Sequence, residues 1–194
     1  MISVTRIQKL AEAEKFEQLL REVLLNGREP ALPLRMQLSA DGGLKTAALG
    51  MALQRVIELQ RGMSTVAARL AAMLRSELSR STDNSMALAA GIRGLLMFNE
   101  ILPGSGAEER GENDDLSNAL DILAARQGDS GLFDDDETVS GFVIWQLGRK
   151  PEFLRRIRFG DLYEALSSRG VLQQGSEIGG ISRIARATLQ AAAA

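Results

Sequence analysis

The chain contains no cysteine and no histidine. Without cysteine there are no disulfides, no iron–sulfur ligation and no thiolate nucleophile. Without histidine the commonest general base, the commonest zinc ligand and the usual activator of a Ser or Cys nucleophile are all missing. Aromatic residues are few: one Trp, one Tyr and six Phe. Long apolar runs are missing too. The longest, Ala47–Leu53 and Met86–Ile92, fall far short of the roughly 20 residues a membrane-spanning helix needs. Arg6, Lys9, Glu12, Glu14, Lys15 and Glu17 leave no room for the apolar core of a secretion signal. The expectation is a cytoplasmic protein with no membrane association. No glycine-rich loop ends in Lys-Ser or Lys-Thr, and no strand–Gly-x-Gly–helix unit is present, so neither phosphate-binding motif is supported.

Charge is balanced overall but unevenly placed. The 194 residues carry 23 basic and 25 acidic side chains, a formal charge of −2. From Gly148 onward eight basic residues face four acidic ones, and such asymmetry can mark a surface for an anionic partner. The candidate anion-contacting residues are Arg155, Arg156, Arg158, Arg183 and Arg186. Asp161–Ser168 and Ile178–Leu189 outline a pair of helices, but the connection between them exceeds the three or four residues of a DNA-binding helix-turn-helix. Nucleic-acid contact is therefore a secondary reading, and an ordinary solvated face is the simpler one.

Apolar spacing reads helical almost throughout. Phe16, Leu19, Leu20, Val23 and Leu24 form one stripe, ended by Asn26-Gly27. Leu49, Leu53, Val56 and Ile57 form a second, closed by Gly62, and Ser64 is placed to cap a third carrying Val66, Leu70, Met73, Leu74 and Leu78. Asp83, Asn84 and Ser85 offer caps for a fourth. Residues 103–115 are rich in Gly, Pro and charge and read as a loop. Leu116, Leu120 and Leu123 begin the next helix, capped by Asp114 or Asp115. Residues 139–147 are apolar on every side, which places Trp145 in the core, and Thr138 is the expected cap. Pro151 suits the first position of a further helix. The prediction is an all-α protein of about eight helices in antiparallel pairs. Its parts are 1–102 and 116–194, joined by the 103–115 loop within one domain overall.

Three helices share a pattern, beginning at Thr46, Met86 and Thr138, with small residues first and large ones later. Two of them follow related turns, Gln37 to Leu44 (QLSADGGL) and Gln127 to Phe133 (QGDSGLF). Gln, then Asp-Gly-Gly or Asp-Ser-Gly, then a large apolar residue before a buried helix resembles the repeats of α/α-toroids. That superfamily includes squalene and oxidosqualene cyclases and protein prenyltransferase β-subunits, and the likeness covers about residues 37–148. It implies a helical-repeat array in which the Gln–Gly–aromatic turn braces successive helices. The activity does not follow. The prenyltransferase zinc site needs Cys and His, and Asp134-Asp135-Asp136 does not match the Asp-x-Asp-Asp acid of the cyclases. The chain is also much shorter than a closed toroid and has a thin aromatic lining.

Asp134, Asp135 and Asp136, with Asp129 and Glu137, crowd one loop. Hard oxygen ligands of this kind can hold a divalent cation. The spacing fits neither a calcium loop, which would want ligands where Gly131 and Phe133 stand, nor an Asp-Asp-x-x-Asp pattern. Acids ahead of a helix cap it and complement its dipole, so no metal and no cofactor are expected. By exclusion the first expectation is a non-enzymatic protein acting by contact with another protein, as adaptor, chaperone or regulator, with homo-oligomers left open. The second is a small-ligand or enzyme module using Trp145, Phe142 and Asp134–Asp136.

Overall fold

The computed structural model describes residues 2–24, 43–60, 64–78, 83–101 and 110–169, with helix but no side-chain detail at 110–114. The expected stops at Asn26-Gly27 and Gly62, the Gln37 turn up to residue 42, residues 103–109 and the Ile178–Leu189 helix lie outside the described residues. The protein is all-α. Among the described residues there are nine helices and no strand, only an isolated antiparallel bridge between Gln127 and Phe133. The chain divides into two compact units, Met1–Ala119 and Leu120–Ala194.

The first unit begins with a helical hairpin, α1 (Val4–Glu12) and α2 (Phe16–Leu24). α1 leaves little sign in the sequence, because its apolar stripe is short and interrupted by charge. It forms because Ser3 accepts from the Arg6 N–H as N-cap and Ile7, Leu10 and Ala11 bury one stripe. Glu14 takes a left-handed φ of 54° at the turn, where the Lys15 N–H returns to the Leu10 carbonyl. The Arg6 guanidinium donates to both Glu22 oxygens across the hairpin.

Three longer helices follow: α3 (Leu44–Gln60), α4 (Thr65–Leu78) and α5 (Ser85–Ile101). Ser64 caps α4 through the Ala67 N–H, and Asn84 caps α5 through the Ala87 N–H. α3 packs on α2, α4 and α5. Lys45 of α3 reaches Glu77 of α4 at 2.7 Å and lies over the Phe16 ring of α2. Arg69 of α4 pairs with Glu12 of α1 at 2.7 Å.

α3 and α5 touch through their backbones. A Cβ added at Gly50 would lie 2.5 Å from the Ala90 carbonyl oxygen, and one at Gly94 would lie 2.9 Å from the Gly50 oxygen. One end of the contact sets Gly43 against Asn84 and Ala87, and further along Gly50 meets Ala90, Gly91 and Gly94. The two helices therefore run side by side in the same direction, with α4 returning between them in sequence. Thr46, Ala47, Ala48, Ala87, Ala89 and Ala90 are buried beside this contact.

α6 (Arg110–Ala125) begins in the first unit and ends in the second, where a loop, then α7 (Glu137–Leu147), the single turn α8 (Pro151–Leu154) and α9 (Phe159–Ser168) follow. α6 corrects the loop expected at 103–115, since residues 110–115 are helical. Acidic composition reads as loop, yet negative charge is favourable in a helix's first turns. Phe133, Phe142, Phe153, Leu162 and Leu166 are wholly buried, with the Phe133 and Phe153 rings stacked 6.0 Å apart.

Two measurements check this packing. Gly50→Ala should lower stability by about 1–3 kcal/mol, because the colliding atoms are backbone and cannot turn aside. Gly160→Ala, whose added Cβ meets nothing within 4 Å, should be neutral or stabilise by up to about 1 kcal/mol. Acid sensitivity gives the second. Hydrogen bonding to Arg6 holds the Glu22 carboxyl below its ordinary range. Its contribution is complete above the ordinary glutamate range and is lost as pH falls through the lowered value. Arg6→Ala should therefore lower the melting temperature at neutral pH and have less effect in acid, once Glu22 is protonated.

Candidate functional site

The residues with chemical potential in the second unit meet in the loop between α6 and α7. Gln127 is buried, and its side chain makes three hydrogen bonds. Nε2 donates to the carbonyls of Gly131 and Arg158, at 2.8 and 2.9 Å, and Oε1 accepts from the Arg158 N–H at 2.8 Å. Arg158 returns the contact, donating through its guanidinium to the carbonyls of Gln127 and Gly128. Gly131 sits at φ +82°, where an added Cβ would lie 2.6 Å from the Asp161 carbonyl oxygen. Glycine is needed there both for the backbone conformation and for the close approach. Ser140, buried on α7, accepts from the Phe133 N–H at 2.8 Å. Gln127 thus ties the loop to the start of α9, 31 residues away in sequence.

The acids are engaged in the same framework. Asp134 pairs with Arg126 at 2.7 Å, and Asp135 accepts from Ser130. Asp136 is the N-cap of α7, accepting from the Thr138 and Val139 N–H groups at 2.7 and 2.9 Å. The cap is therefore Asp136 and not Thr138. Glu137 meets Arg169 at 3.3 Å. Asp134 and Asp135 both take left-handed φ values, 52° and 55°, a region Asp tolerates better than most residues. Among the described residues no group of three or more acidic side chains is placed to hold a metal.

The candidate arginines separate. Arg156 pairs with Asp121 at 2.8 Å, Arg158 belongs to the Gln127 clamp, and Arg155 is exposed. Arg183 and Arg186 lie outside the described residues. Trp145 departs from the expected core position: it is only half-buried, while Phe142, edge-on to it at 5.4 Å, is fully buried. An all-apolar helix has no polar face from which to read its orientation, so the open edge was not visible in the sequence.

One residue in the first unit escaped that reading. Arg93 is half-buried on α5, and among the described residues its side chain makes no hydrogen bond, ion pair or ring contact. The signal was an arginine inside the apolar Met86–Phe98 run with no acid three or four residues to either side. No helix of the described residues is long and apolar enough to cross a membrane. No family model, curated protein or solved structure matches the chain.

Gln127→Ala should cost at least about 2 kcal/mol in thermal or urea unfolding, because it strips partners from three backbone groups. Asp136→Ala should cost about 1 kcal/mol, the value of an N-cap. Phe142→Ala should cost about 3–5 kcal/mol and Trp145→Ala clearly less, with Trp145 fluorescence partly accessible to iodide. A Trp145→Ala loss equal to that of Phe142→Ala would place the indole in the core.

Proposed function

We propose that the chain is a non-enzymatic helical protein that works by contact with another protein, as an adaptor, chaperone or regulator. The observation that carries this reading is the engagement of the reactive-looking groups in the fold itself. Asp134, Asp135 and Asp136 hold Arg126, Ser130 and the start of α7. Arg156 and Arg158 hold Asp121 and the Gln127 loop. A group that serves a cap or clamp must leave backbone donors or acceptors unpaired to serve a substrate.

The resemblance to α/α-toroid repeats supports the same reading. Gln127 hydrogen-bonds across its turn, and α3 and α5 run side by side with α4 between them in sequence, features in keeping with a helical-repeat reading. Such arrays present broad surfaces to peptides and helices. One observation favours the alternative of a small-ligand module: the half-open Trp145 edge against Phe142. Nucleic-acid contact draws less support, since of the three described candidate arginines Arg155 alone is unengaged.

Native affinity capture of the tagged chain, followed by titration with the purified captured protein, tests the proposal. The expected result is one stoichiometric protein partner that binds in saturable fashion in the purified system. The reading is overturned if no protein binds while a prenyl diphosphate with magnesium raises the melting temperature of the wild type and not of Trp145→Ala.

A further inference from the structure

α7 and α9 of the second unit are held very differently. α7 buries eight of its eleven residues and has Asp136 as a side-chain cap. α9, ten residues long, buries only Leu162 and Leu166, and no side chain caps its start, where Arg158 is the N-cap. Gly160 in its first turn has open space around it, and glycine weakens a helix. A helix with so little buried apolar surface and no cap of its own sits at the low end of local stability. What α9 lacks in itself comes from the loop between α6 and α7.

The loop and the start of α9 form a reciprocal clasp. The Gln127 amide holds both backbone groups of Arg158, accepting from the N–H at 2.8 Å and donating to the carbonyl at 2.9 Å. The Arg158 guanidinium in turn donates to the carbonyls of Gln127 and Gly128. Just past the clasp the Asp161 carbonyl lies so close over Gly131 that a Cβ there would meet it at 2.6 Å. At its other end α9 is followed by Arg169, whose ion pair with Glu137 at 3.3 Å joins partly exposed side chains and contributes little. The elements on either side are firmly anchored. Phe153 of α8 is wholly buried and stacked on Phe133, and Leu132 and Phe133 bury the loop.

We propose that α9 is a flap latched by Gln127 and Arg158. It opens about residues 154–157 while α7, α8 and the Leu132–Phe133 part of the loop stay packed. Opening takes Arg158 from the Gln127 amide and lifts the Asp161 carbonyl from Gly131, and it uncovers the Leu162 and Leu166 side of the helix. The latch also links the two elements. A contact that favours the open α9 frees Gln127, and a contact that stiffens the loop holds α9 shut, each by the same factor. The device stands independently of the protein-contact reading above.

Hydrogen–deuterium exchange of the intact chain in sub-denaturing urea tests it, read on the amides of 162–168 and of 141–147. In the wild type the α9 amides should open with a weaker urea dependence than the α7 amides, since a flap exposes less surface than the whole unit. Arg158→Met then tests the latch. It keeps the stem of a half-exposed side chain and removes its donors, while the backbone groups held by Gln127 remain, so the variant should fold. Without urea it should speed α9 exchange at least ~10-fold, the worth of hydrogen bonds from a charged donor. Wild-type α9 amides that share the urea dependence of α7 overturn the flap, and that reading needs no variant. α9 exchange unchanged in Arg158→Met overturns the latch.

Discussion

The backbone contact between Gly50 of α3 and Gly94 of α5 is the constraint on which the first unit depends. Two helices come this close only where neither carries a side chain, and the flanking residues are correspondingly small: Ala47, Ala87, Ala90 and Gly91. The close approach brings a large share of both helices out of water at once, which explains why α3 and α5 are buried on nearly every side. α4 can then return only along their flank, where Leu74 and Leu78 meet Gly91. The charged side chains close the periphery, with Lys45, Arg69 and Arg6 tying α2, α4 and α1 to their neighbours.

The second unit uses a different device. Its loop between α6 and α7 is held by a single buried amide, Gln127, whose donors and acceptor are all used on backbone groups. A neutral amide suits this task because it can donate and accept at once. Gly131 lets the loop pass over the Asp161 carbonyl, and Ser140 and Asp136 join it to α7. The acids and arginines that drew attention as chemistry are mostly the fasteners of this assembly. Arg93 in the first unit differs from them, being half-buried with no fastening role.

Much of the helix content was legible because amphipathic spacing and caps are local signals. The Leu70–Leu74–Leu78 stripe with Ser64, and α5 with Asn84, stand where the spacing places them. What was not legible has physical reasons. α1 is short and charged, and its apolar stripe is only Ile7, Leu10 and Ala11. Residues 110–115 read as loop because their Gly and charge leave no apolar stripe, yet the backbone there is helical. The half-open edge at Trp145 lies on a helix with no polar face to set its orientation. The turn at Gln127 was visible, but its partner at Arg158 is 31 residues distant and leaves no local trace, so Arg158 read as an anion-binding residue. Gly50 and Gly94 likewise give no hint, taken singly, that they face each other.

Because the chain has no native cysteine, spin labels can be placed at chosen pairs, and the parallel α3–α5 contact can be measured directly by pulsed electron resonance. Cysteine introduced at Glu58 on α3 and at either Glu100 or Asp83, at opposite ends of α5, gives two distances in otherwise identical protein. The Glu58–Glu100 distance should be the shorter, by more than ~10 Å, since the α5 turns between the two sites rise by more than ~20 Å at 1.5 Å per residue. A Glu58–Asp83 distance equal to or shorter than the Glu58–Glu100 distance would contradict the glycine-locked parallel packing.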